Sequence, residues 1–257
     1  MTISGSQWAE FASILKAVDD RAYKEFSDYY VKYYFKPGRE IDDNLIEVAY
    51  EIVRKYGEAS GAMAALTYDM MAELQGVNVL PAIPATPPTF SEVAKNLRGA
   101  AKFSTTKTYL AGVASQMVKR VGAETTLQNA LRDGAEFAWV PNGDTCPYCI
   151  MLASRGWRYS AKEDIEKGHA EHIHSNCDCT YAVRFHHNTK IKGYDPDKYL
   201  EMYENADGST KKQRLNSLRR EFYAENSKKI NAQKRINYAE RKKELNESSA
   251  EEYDVNE

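Results

Sequence analysis

No stretch of this 257-residue chain approaches the 18 or more consecutive apolar residues that a membrane-spanning helix needs. A helical membrane span is therefore excluded at the outset. The start, Met1-Thr-Ile-Ser-Gly5, has neither the basic segment nor the apolar run of a secretory signal. An intracellular, reducing setting is the expectation, and stable disulfides are uncommon there. Cysteine is scarce: four residues, all inside a span of 34. No βαβ pattern flanks them, which argues against a thioredoxin-type redox pair. Aliphatic residues thin out over the final 60 positions, so that end lacks the material for a core of its own.

What is present is concentrated. The cysteines fall in two clusters, Cys146-Pro-Tyr-Cys149 and His174-Ser-Asn-Cys177-Asp-Cys179. A two-residue gap lets both thiolates face one point from a tight turn, as a tetrahedral metal requires, and the second cluster offers three more donors. Four of the five residues Cys146, Cys149, His174, Cys177 and Cys179 are expected to bind one structural Zn²⁺. Cys146 and Cys149 are the firmest, followed by Cys177, with Cys179 or His174 completing the tetrahedron. His169 and His172 rank lower, because loop histidines at this density are often surface groups. Two other readings stand beside zinc: reduced thiols packed as small apolar groups, and disulfides formed only on oxidation.

Zinc catalysis is not expected. His169-Ala-Glu171 imitates the H-x-E of zinc deaminases, but there H-x-E precedes P-C-x-x-C. Here the order is reversed, and Thr145 stands where the proline belongs. Four protein ligands would also leave no open position for water.

Apolar residues make up 42% and charged residues 28%, ordinary proportions for a globular protein of this length. The net charge of −2 hides an uneven distribution. Residues 211–243 carry twelve Lys/Arg against three Glu, whereas 244–257 carry six acids and no base. Lys211, Lys212, Arg214, Arg219 and Arg220 are candidate DNA contacts, since phosphate neutralisation needs only clustered cations. The competing reading is a solvated charged helix. Eighteen tyrosines suit partly wet contact surfaces.

Helical periodicity dominates the first half. Trp8, Phe11, Leu15, Val18, Ala22, Phe26, Tyr29 and Tyr33 recur at steps of three and four, predicting one helix over 6–35 that stops at Pro37-Gly38. A second helical region runs from Asp42-Asp43 past the small residues 57–65 to Gly76. Pro81-Ala-Ile-Pro-Ala-Thr-Pro-Pro88 is a linker or a chain crossing over the helices. Helical patterning returns over 91–135, with breaks expected near 103–106 and Gly122. Residues 137–140 and 180–185 alternate like strands and are expected to pair, with zinc pinning the loops at their ends. A short helix begins near Ile150 and ends at Gly156, followed by a brief strand at Trp157 and Tyr159. The predicted fold is mainly α (α+β). An N-terminal helical region (1–80), a Pro-rich linker (81–90) and a second helical region (91–135) precede a β-hairpin/zinc-knuckle module (136–185). A charged tail, helical or disordered, occupies 186–257. A knuckle this small is expected to draw most of its folding free energy from the metal.

The run Asp144-Thr-Cys-Pro-Tyr-Cys-Ile-Met-Leu-Ala-Ser-Arg-Gly156, followed by His174-x-x-Cys177-x-Cys179-Thr180, resembles the C-terminal module of phage minor capsid proteins, the head-morphogenesis proteins related to the F protein of phage Mu. Tyr56-Gly-Glu-Ala-Ser60 and Ala64-Ala-Leu-Thr-Tyr-Asp69 are similar to the helical part of the version in phages of Gram-positive hosts. The likeness covers about residues 5–185. It implies a non-enzymatic, low-copy virion component at the portal vertex or head interior, made in the host cytoplasm. Its partners would be the portal protein, the major capsid protein and, through the basic tail, packaged DNA, with no membrane. Two readings from other classes remain beside it. One is a zinc-dependent nucleic-acid-binding protein. The other is a metal-dependent nuclease using His172 or His174 as base.

Overall fold

The computed structural model describes residues 1–34, 41–142, 145–161 and 179–254. The chain is mainly helical, with a small sheet set against one end of the helices. In order, the elements are β1 (Thr2–Ile3), α1 (Gly5–Tyr29, continued as a π turn over Tyr30–Tyr34), α2 (Asp43–Leu74), α3 (Phe90–Ala101) and α4 (Lys107–Asp133). Then come β2 (Glu136–Val140), α5 (Pro147–Ala153), β3 (Arg158–Tyr159), β4 (Thr180–Arg184) and β5 (Lys190–Ile191). Two helices follow, α6 (Pro196–Glu204) and α7 (Lys211–Asp254).

Local chemistry sets the helix starts. Ser4 and Thr89 form capping boxes with Gln7 and Glu92, and Asp42 caps α2 by accepting the Leu45 N–H. Gly134, at φ 64°, closes α4 in the left-handed conformation. Gly57, Gly61 and Gly122 do not interrupt their helices. The expected break at 103–106 is real, whereas the one at Gly122 is not. Gly122 is a contact, since the space its Cβ would need holds the Ser60 Oγ of α2.

Along α1 the buried positions are Trp8, Phe11, Ala22, Phe26, Tyr30 and Tyr34, while Tyr33 is 57% exposed. The expected Tyr29–Tyr33 phase therefore slips by one residue. From Ala22 onward the buried stripe steps uniformly by four, and the π turn keeps Tyr30 and Tyr34 on it. The Tyr30 hydroxyl donates to the Thr105 carbonyl at 2.6 Å, tying that turn to the α3–α4 connection.

The proline-rich segment is a strap across α2 and α4. Ala82 N–H donates to Asp69, Ile83 N–H to Asn129 and Ala85 N–H to the Thr125 hydroxyl. Arg132 returns two bonds, to the Leu80 and Pro81 carbonyls.

The core has two main clusters. One lies among Phe26, Leu45, Val53, Leu97, Leu110 and Val118 of α1 to α4. The other joins Trp8, Tyr68, Met71 and Leu127 of the helices to Phe137, Trp139, Tyr181 and Val183 of the sheet. β2 is the central strand, antiparallel to β3 and to β4, and all five of its residues are buried. The expected 137–140 with 180–185 pairing is present, with Phe137 opposite Val183 and Val140 opposite Thr180. The expectation of a module with little apolar surface fails, because its sheet shares a core with the helical body. β1 pairs parallel with β5, so residues 2–3 close against 190–191.

Candidate metal centre and basic helix

Cys146 occupies the N-cap of α5 with Pro147 in the first helical turn, and its Sγ accepts the Cys149 backbone N–H at 3.4 Å. Proline there needs no donor, and its fixed φ starts the helix. The N–H directed at sulfur favours the thiolate, the form that binds metal. Cys149 is 1% exposed and Cys146 half-buried. Cys179 is also 1% exposed and immediately precedes β4. Since Thr180 pairs with Val140, the ladder brings Cys179 to the same end of the sheet from which the chain runs on to Cys146. Cys149 and Cys179 belong to the core cluster that joins helices and sheet, and Cys146 packs against it.

Tyr199 of α6 bridges the two cysteine segments. Its hydroxyl pairs with Thr145, next to Cys146, and it lies close enough to Cys179 to feel its charge. Burial pushes its phenol above the ordinary tyrosine range, and the Thr145 bond draws it part of the way back. Tyr148, inside the Cys-x-x-Cys, is likewise raised by burial, with Cys146 and Cys149 adding to the effect.

His174 and Cys177 lie outside the described residues, as do Asp144, His169 and His172. Among the described residues no group of three or more His, Cys, Asp or Glu is gathered for a metal. Cys146 and Cys149 open α5 and Cys179 immediately precedes β4, but the three are not gathered into one metal-binding group, and His174 and Cys177 lie outside the described residues. Tyr199 and Thr145 carried no signal in the sequence as neighbours of the cysteines, because Tyr199 stands in the polar stretch beyond residue 186.

The second candidate site is α7. Leu215 and Leu218 are its buried anchors, and Leu218 packs with Ile150 of α5, Ala206, Tyr199 and Tyr203. The basic helix therefore stands on the helix that begins at Cys146. Lys211, Lys212, Arg219 and Arg220 are exposed. Arg214 is half-buried, donating to the Gly208 carbonyl at 3.1 Å and lying over the Tyr203 ring. Four of the five predicted phosphate contacts thus face solvent, and Arg214 is committed to holding the foot of the helix.

Residues 2–206 match the VG15 protein family. The chain belongs to this family of viral proteins. Neither the curated proteins nor the solved structures contain a match. The VG15 match spans the helical body, the sheet, both cysteine clusters and α6, and stops before α7. No helix among the described residues of this VG15 protein is long and apolar enough to cross a membrane.

Proposed function

We propose that this VG15 protein is a phage minor head protein: a low-copy virion component at the portal vertex or head interior that acts in head assembly or DNA delivery. The observation that carries the reading is the seat of the Cys146–Cys149 turn. It packs into the same core cluster as Cys179, which precedes β4 at the Val140–Thr180 end of the β2–β4 ladder, in a chain of a viral family. Four of the five residues Cys146, Cys149, His174, Cys177 and Cys179 would hold a structural Zn²⁺, which supplies cross-linking of two loops and no chemistry. The portal and major capsid proteins are the proposed partners of the helical body, and packaged DNA that of α7. No catalytic role is proposed.

The test has two parts. Elemental analysis of the purified chain should give one zinc per molecule, with thiols that titrate only after chelation or unfolding. Mass spectrometry of purified phage particles should find the chain at a few copies per head and co-purifying with the portal. A zinc-free chain with four reactive thiols would remove the metal centre, and absence from the particles would remove the virion assignment. Cys146→Ser should lower metal content and weaken the core that helices and sheet share. Its loss of stability should therefore extend to α1 and α4, seen as faster amide exchange there as well as in the sheet.

A further inference from the structure

At the edge of the sheet opposite the cysteines, three side chains form a relay that the minor-head reading does not use. Glu136 opens β2, with Tyr159 of β3 and Arg184 of β4 opposite it on either side. Its carboxylate is 6% exposed and accepts from Arg184 Nε at 2.7 Å. His187, just past β4, places Nδ1 2.9 Å from the same oxygen. A proton on Nδ1 satisfies the carboxylate, the nearer of that nitrogen's two neighbours (Arg184 Nη2 lies 3.4 Å away), and this tautomer carries its lone pair on Nε2. Nε2 stands 3.4 Å from the Tyr159 hydroxyl, with the two rings edge to face at 6.1 Å. Tyr159 is 58% exposed, so its oxygen is open to a reagent from solution.

We infer that Tyr159 is a base-assisted nucleophile: a modification site whose phenol oxygen accepts group transfer from an activated tetrahedral electrophile of the phosphoryl class. A nucleophile within reach of a base, which is itself oriented by a third group, defines this arrangement. Glu136 is the positioning residue. It holds the imidazole in one tautomer and stabilises the imidazolium formed when the phenol proton moves to Nε2. Arg184 and the Trp157 ring beneath its guanidinium fix the carboxylate in turn. With a phosphoanhydride donor, the bond from Tyr159 Oη to phosphorus forms as the anhydride P–O bond breaks. The electron pair leaves with the released phosphate, and the proton passes from phenol to imidazole. An aryl sulfonyl fluoride reports the same step, since the oxygen–sulfur bond forms, the S–F bond breaks and fluoride departs. Oxygen is a hard nucleophile, and both centres are hard.

The test uses the full chain and a limiting aryl sulfonyl fluoride, with peptide mapping to obtain a rate for each tyrosine. Tyr33 and Tyr238, 57% and 70% exposed, are the internal references. Base assistance contributes on the order of 10²–10⁴-fold when fully engaged, so Tyr159 should label at least ~10-fold faster than both. His187→Gln, at an exposed position, should bring Tyr159 down to the reference rate, and added imidazole should restore part of the difference. Equal labelling of Tyr159, Tyr33 and Tyr238 in the unaltered chain overturns the inference. So does an unchanged Tyr159 rate in the His187→Gln chain, or failure of imidazole to raise it. Glu136→Gln should give an intermediate rate with no change at the reference tyrosines.

Discussion

At Gly122 the helices α2 and α4 leave no room for a methyl group. A Cβ there would stand 2.7 Å from the Ser60 oxygen and 3.4 Å from the Ser60 carbonyl, and neither can withdraw into solvent because Ser60 is 1% exposed. Gly122→Ala should therefore cost about 1–3 kcal/mol by overpacking. Gly99 in α3 has nothing within 4 Å of the same position, and Gly99→Ala should stabilise by about 0.5–1 kcal/mol through helix propensity alone. Denaturant titration of the two variants should move the midpoint in opposite directions; a shared sign would refute the packing argument. Asp19 makes a second case at this scale. It is 7% exposed on α1, and its Oδ1 has no hydrogen-bond partner among the described residues. Burial raises its pKa to about 7, with Lys119 opposing the shift. A carboxyl whose folded pKa lies above its unfolded value stabilises the fold when protonated. That stability is complete below pH 4 and lost as pH rises through 7. Between pH 5 and pH 8 the native chain should lose on the order of 2–3 kcal/mol relative to Asp19→Asn, measured by the same titration. Parallel pH profiles for the two chains would show that Asp19 ionises freely.

At the scale of elements, the strap over 81–88 is held by side chains, not by a ladder of backbone bonds. Asn129, 2% exposed, does the most: its Oδ1 accepts from Ile83 N–H at 3.0 Å while its Nδ2 donates to the Ile83 carbonyl at 2.9 Å. Removing it leaves the Ile83 N–H without its acceptor, while the Ile83 carbonyl keeps its bond from Gln128 Nε2 at 2.6 Å. Asn129→Ala should cost about 1–3 kcal/mol and open the strap to protease ahead of global unfolding. Cleavage confined to 77–89 would confirm the local effect. Uniform digestion would instead show that the strap and the body unfold together. The sequence made the strap legible as a chain crossing the helices, because four prolines forbid helix and ladder alike. Its receptors were not legible, since Thr125, Asn129 and Arg132 sit at helical spacing and read as an ordinary polar face. The β2–β4 pairing was visible from alternation. The two-residue strands β1 and β5 were not, because no period shows in two residues. The phase of α1 was missed by one position for a related reason: Tyr29, Tyr30, Tyr33 and Tyr34 offer the period two equally apolar choices, and the buried one is the phase on which the Tyr30 hydroxyl reaches the Thr105 carbonyl.

Across the whole molecule, charge and packing separate on α7. Its first turn contains no acid and its last no base, the reverse of what the helix dipole favours. Its apolar residues are sparse, and among the described residues Leu215 and Leu218 at the foot are the ones buried against the body. Of the twelve cations between 211 and 243, nine stand at or beyond Arg219, past that foot. The helix thus has one end built into the cysteine-bearing half of the core and a long basic continuation whose described residues are mostly exposed. A polyanion along that continuation would both neutralise the cations and relieve their conflict with the dipole. In the sequence the positive run and the acidic end were plain. The anchoring was not, because two leucines in a polar stretch gain meaning only when Ile150, Tyr199 and Ala206 are seen to receive them. Truncation after Leu218 should leave the melting temperature within about 2 °C, since surface substitutions away from packed contacts cost little. It should nevertheless remove most of the salt dependence of DNA retention, each lost phosphate contact lowering the slope of log K against log salt by about 0.9. Truncation before Lys211 should also destabilise the chain, by uncovering Ile150 and Tyr199. If the shorter truncation keeps the full salt slope, α7 is a solvated charged helix and DNA is held elsewhere. If both truncations melt alike, the foot contributes nothing to the core, and the link between α7 and the cysteine turn is lost with it.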